Sequence, residues 1–146
     1  LLFLSLLSGK NPEYLIGQHV KAIPRLRGSS LAILPTGYLL LDGGNHSAVA
    51  RVTETEPMSQ QDIQAIVDTA KAGELLGMKL IYLEAGSGAK TPISTEIIAA
   101  VKNDINIPLI VGGGIKTNAQ KQAAYRAGAV MVVMGTHFEV RSAKFK

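Results

Sequence analysis

Residues 79–90 read KLIYLEAGSGAK, and this stretch decides the fold. An apolar run carries a tyrosine and a glutamate two residues apart, then breaks into Gly-Ser-Gly. Because the run is apolar throughout and does not alternate, it reads as a strand buried on both faces, as in a parallel sheet. Two further stretches repeat the pattern, IPLIVGGGIKT at 107–117 and, more weakly, AVMVVMGTHFE at 129–139.

Helical segments separate these strands. Ser59 with Asp62 resembles a capping box, and Ile63, Ile66, Val67 and Ala70 follow helical spacing until Gly77 closes the helix. Ser94 and Glu96 open a second helix with Ile97, Ile98 and Val101 as its apolar stripe. Thr117 with Gln120 opens a third, ending at Gly128. Strands therefore recur at intervals of about 22–28 residues with helices between them, the pattern of a parallel sheet covered by helices. Upstream, LLFLSLL at 1–7 reads as another buried strand, and 13–27 as a partly helical connection. In SLAILPTGYLLLDGG at 30–44, Pro35 confines the expected strand to Leu31–Leu34, with 38–41 as an extension or a short edge strand. Residues 42–58 read as a long polar loop.

Composition fits one globular domain: 146 residues, 47% hydrophobic, 18% charged. The net charge of +4 comes from scattered basic residues, with no block or aromatic interleaving that points to nucleic acid. The absence of cysteine excludes a disulfide framework and a thiolate metal site, which is compatible with a cytoplasmic setting. The opening run LLFLSLLSG lacks a basic n-region and is too short to span a bilayer. The chain begins inside an element and stops on RSAKFK, where another helix is expected to start, so it reads as a piece of a longer protein.

In parallel β/α architectures, ligands collect at the carboxyl ends of the strands, where all three glycine stretches lie. Glycines let backbone approach a ligand, and their N–H groups can surround phosphate oxygens. In barrels of this type the loops after the last two strands form the recurrent phosphate site, which matches GGGI followed one unit later by MGT. Tyr82 and Glu84 share one strand face. A carboxylate ending a buried strand is costly unless it is paired or used, whereas Tyr82 can equally be a packed core residue. His46 and His137 have no partner at metal-ligand spacing, and Asp42 suits a turn-capping role at least as well as a site role.

The strings LGMKLIYLEAGSGAKTPIS, IPLIVGGGIKT and VVMGTHFE, preceded by ILPTGYLLLDGG, resemble the geranylgeranylglyceryl phosphate synthase family, prenyltransferases that include the bacterial heptaprenylglyceryl phosphate synthases. The likeness runs over essentially the whole chain, and the Tyr-Leu-Glu-Ala-Gly-Ser-Gly string is its most specific part. It sides with the longer archaeal and bacterial group, the heptaprenyl group having a shorter corresponding string.

The resemblance implies a (β/α)8 TIM-barrel fold, with residues 1–146 as the C-terminal part of one barrel domain, truncated at both ends and equivalent to strands four to eight. It implies that sn-glycerol 1-phosphate is held by Tyr82, Leu83, Glu84, Ala85, Gly86, Ser87 and Gly88, by Gly112, Gly113 and Gly114, and by Gly135 with Thr136. Many members have Asn at the last of these positions. Glu84 and Tyr82 are the implied catalytic pair, with Glu84 either accepting the hydroxyl proton or stabilising the allylic cation. A polyprenyl diphosphate is the implied second substrate and Mg²⁺ the implied cofactor, its ligands expected in strands absent here. The resemblance further implies a homo-oligomer, and a lipid product with peripheral membrane contact. Two rivals stand beside it: another phosphate-binding barrel acting on a small metabolite, and a partial barrel without activity of its own.

Overall fold

In a computed structural model that describes residues 1–135, five strands alternate with helices: β1 (Leu2–Leu6), α1 (Gln18–Leu26), β2 (Leu34–Leu40), α2 (Ala48–Thr53), α3 (Ile63–Leu75), β3 (Leu80–Glu84), α4 (Thr95–Asp104), β4 (Leu109–Gly112), α5 (Asn118–Arg126) and β5 (Met131–Val133). A π-helical turn, Glu13–Gly17, leads into α1. The strands form one parallel sheet in chain order, β1-β2-β3-β4-β5. The fold is α/β, a partial barrel of the TIM type.

Register fixes which residues share a face. One set comprises Leu39, Ile81, Leu83, Leu109 and Val111, which join Ile66, Ala70, Ile97, Ile98, Val101 and Ala124 of the helices in the main core. The helical stripes read from the sequence are therefore the faces that cover the sheet. The opposite set runs in rows, Leu6–Tyr38–Tyr82–Ile110–Met131 and Leu40–Glu84–Gly112–Val133. On this second face Tyr38, Leu40, Leu6 and Ala50 of α2 form a smaller cluster.

Three expectations need correction. Strand β2 runs through Pro35 and Gly37 and is central, paired on both sides. Pro35 is tolerated because its missing N–H lies on the side of β3, and pairing with β3 begins only at Thr36. Gly37 is tolerated because a Cβ there would fall 2.6 Å from Leu7 Cδ1, so the side chain of Leu7 occupies that space.

Within 42–58, Ser47 accepts the Ala50 N–H at 3.1 Å and caps the short helix α2. Six residues with one apolar turn are too few for a periodic signal. Finally, Asp62, not Ser59, caps α3 by accepting from Ala65 N, while Ser59 closes a local turn with Gln61 N.

The other helix signals stand. Ser94 caps α4, and Thr117 and Gln120 make a reciprocal capping box on α5. Gly77 and Gly128, at φ +95° and +115°, end α3 and α5 in Schellman-type turns.

Candidate functional site

Strand β3 delivers Tyr82 and Glu84 to the second sheet face, at the carboxyl end of the sheet. Glu84 is only 8% exposed. One carboxylate oxygen accepts from the Tyr82 hydroxyl at 2.7 Å, and the other from the Gly86 N–H at 2.9 Å. Burial raises the Glu84 carboxyl above its ordinary range, against the opposing pull of those two donors. Burial likewise raises both Tyr82 and Tyr38, with the Glu84 charge adding to it, so both phenols stay protonated at neutral pH. Tyr38 and Tyr82 meet edge to face at 5.1 Å between ring centroids.

Glycines 112 and 113 make this arrangement possible. A Cβ on Gly112 would lie 2.5 Å from Glu84 Oε2 and 2.7 Å from the Tyr82 hydroxyl. On Gly113, at φ +82°, it would lie 2.5 Å from Glu84 Oε1 and 2.7 Å from the Ala85 nitrogen. Sequence reasoning assigned these glycines to a ligand. In the structure they enclose the carboxylate.

A cleft of about 270 Å³ opens beside the pair. Tyr38 and Glu84 line one part of it, Ser87, Gly88, Gly113 and Gly114 another. Ile115, Lys116, Val49 of α2, Val133 and Gly135 complete the lining. The loop 85–91 is held by the β2–α2 loop: Gly43 O accepts from Lys90 N and Thr91 N, and Asn45 Nδ2 donates to Ser87 O at 3.0 Å. Gly86 and Gly88 both take positive φ, at +93° and +75°.

Of the residues singled out from the sequence, Glu84, Ser87, Gly88, Gly113, Gly114 and Gly135 line the cleft, and Tyr82, Gly86 and Gly112 support its carboxylate. The side chains of Leu83 and Ala85 belong to the main core on the other sheet face. Thr136 and His137 lie outside the described residues. His46 is exposed, and Asp42 caps its own turn by accepting from Gly44 N at 2.8 Å.

Sequence reasoning missed Tyr38, Val49 and Lys116. Tyr38 was legible as the residue two before Leu40 on an apolar strand, had Pro35 not cut that strand short.

Among the described residues no three carboxylates or imidazoles converge on a point where a metal ion could sit. None of them is assigned to the Mg²⁺ that the resemblance implies. No helix among them is long and apolar enough to cross a membrane.

The chain is 62% identical over 139 residues to a geranylgeranylglyceryl phosphate synthase of Zunongwangia profunda, covering 95% of this chain and 59% of that protein. A crystal structure of (S)-3-O-geranylgeranylglyceryl phosphate synthase from Thermoplasma acidophilum, in complex with sn-glycerol-1-phosphate, superposes with a TM-score of 0.87 at 36% identity. The wild-type enzyme from Thermoplasma volcanium gives 0.86 at 38%. Each superposition covers 93% of this chain and 54% of the other. The chain thus spans somewhat over half the length of these relatives. The profile of the PcrB family matches residues 1–144, and the chain belongs to that family.

Proposed function

We propose that this chain carries the glycerol-phosphate half of a prenyltransferase, which joins a polyprenyl group, geranylgeranyl by likeness to the relatives, to a hydroxyl of sn-glycerol 1-phosphate. The observation that carries this reading is the buried Glu84 carboxylate, held by Tyr82 and the Gly86 N–H beside a glycine-lined cleft. The likeness to a synthase solved with sn-glycerol-1-phosphate supports it.

In the reaction, the glycerol hydroxyl oxygen bonds to the allylic carbon of the prenyl diphosphate. The carbon–oxygen bond to diphosphate breaks, and the diphosphate leaves with the electron pair. The hydroxyl proton passes to Glu84, whose raised proton affinity suits it as acceptor. Tyr82 orients that carboxylate. The N–H groups of Ser87, Gly88, Gly113 and Gly114 take the phosphate. Gly135 extends that side, with Thr136 assigned to the same substrate by the family resemblance alone.

The Mg²⁺ requirement, the cytoplasmic setting, the oligomer and the lipid-biosynthetic role belong to the same proposal. No described residue is assigned to the metal.

Calorimetric titration with sn-glycerol 1-phosphate and with its 3-phosphate enantiomer tests the reading. Saturable binding that favours the 1-phosphate is expected. Equal affinity for the two enantiomers, or none in a cooperatively folded sample, counts against it.

A further inference from the structure

The cleft has a charge problem. A phosphate monoester is close to a dianion at neutral pH, and the cleft already holds the Glu84 carboxylate. Neutral N–H donors alone supply no counter-charge to that load.

At the start of α5, next to the glycine turn, three N–H groups are already engaged, and those that are left carry no net charge. Gln120 Oε1 accepts from the Lys116 N–H at 2.8 Å and the Thr117 N–H at 3.1 Å, and Thr117 Oγ1 accepts from the Gln120 N–H at 3.1 Å. Those three groups are committed to the capping box.

The counter-charge is left to the Lys116 side chain. Among the described residues it is the one cationic side chain lining the cleft, and its ammonium makes no ion pair or hydrogen bond with any of them. The bond from its own N–H to Gln120 fixes the backbone from which the side chain departs. We infer that Lys116 is the residue that sets the preference of this site for a phosphate ester, its ammonium pairing with the phosphate oxygens, with Gln120 as the positioning residue behind it. This rests on the glycerol-phosphate reading above. An ammonium on a flexible stem acts here as a compact point charge, for which a guanidinium is a workable substitute in charge though not in shape.

The test compares sn-glycerol 1-phosphate binding by wild type, Lys116→Met and Lys116→Arg at several salt concentrations. Methionine keeps much of the aliphatic stem and removes the charge. Lys116 is exposed, so all three chains are expected to unfold at the same denaturant midpoint. The expected result is a loss of about tenfold or more in affinity for the Met variant, the scale of one charge-assisted hydrogen bond. Recovery to within about threefold of wild type is expected with Arg, and a shallower salt dependence with Met than with wild type. Wild-type affinity and an unchanged salt slope in the Met variant overturn the assignment while leaving the glycerol-phosphate reading intact. A wild-type chain that binds no sn-glycerol 1-phosphate overturns that reading, and this inference with it.

Discussion

Glu84 is the buried carboxylate of the cleft, and its surroundings make two predictions. Burial holds its carboxyl above the ordinary range, so the folded chain binds that proton more tightly than the unfolded chain does. Stability attributable to this group is therefore lost as pH rises from the unfolded carboxyl value, roughly 4.3, through the raised native one. Glu84→Gln removes that loss. Its amide can still accept from the Gly86 N–H and donate to the Tyr82 oxygen. In urea titrations the variant is expected to match or exceed wild-type stability at pH 7, and its advantage over wild type should shrink toward pH 4. A variant less stable than wild type at pH 7, with the two converging on acidification, contradicts the sign.

Gly112→Ala pushes a methyl group into the Glu84–Tyr82 hydrogen bond. Affinity for sn-glycerol 1-phosphate should fall at least about tenfold, in proportion to a lost charge-assisted bond. Calorimetry on the folded variant measures it, and unaltered affinity would show that the pair is not part of the site. The period-two spacing of Tyr82 and Glu84 made the pair legible in the sequence. The role of Gly112 as the space for a carboxylate was not, because it depends on the register of β4 against β3.

At the scale of elements, the joint between β2 and α3 shows why glycines sit where propensity disfavours them. Leu7 inserts its Cδ1 between Gly37 of β2 and Gly73 of α3, where added Cβ atoms would lie 2.6 and 2.5 Å away. An Ala in a helix interior ordinarily stabilises by about 1 kcal/mol over Gly. Here Gly73→Ala is expected to destabilise by about 1–3 kcal/mol through overpacking. Combining it with Leu7→Ala should cost less than the sum of the two single changes. Denaturant titration of the four chains decides it, and a stabilising Gly73→Ala refutes the wedge.

Helix signals were legible where a cap and a period coincided, as in α4 and α5. They failed at α2, whose six residues offer a cap without a period. Strand β2 was misplaced because a proline ordinarily marks an edge. Its place before the first β3 pair became visible only with the register.

Across the whole molecule, the two sheet faces differ in what covers them. Helices bury the outer face of the central strands, at Leu39, Ile81, Leu83, Leu109 and Val111. On the inner face Leu2, Leu4, Leu34, Met131 and Val133 are exposed, and among the described residues β1 and β5 each pair on one side only. Such a face with open edges favours association. Sedimentation of the 146-residue chain should show concentration-dependent self-association that Met131→Lys reduces, and a strictly monomeric chain contradicts this. The parallel β/α order and its glycine-ended strands could be read from hydrophobic runs and turn residues alone. The way α2 and Tyr38 meet over the inner face could not, since it joins residues that no local pattern connects.

On the proposed function, the cleft between Glu84 and the glycine loops holds sn-glycerol 1-phosphate. Amide chemical shifts of the labelled chain, followed by NMR as that ligand is added, test it most directly. Saturable shifts concentrated at Gly86, Ser87, Gly88, Gly113 and Gly114 are expected. Shifts confined to residues remote from the cleft, with these five amides unmoved, would contradict it.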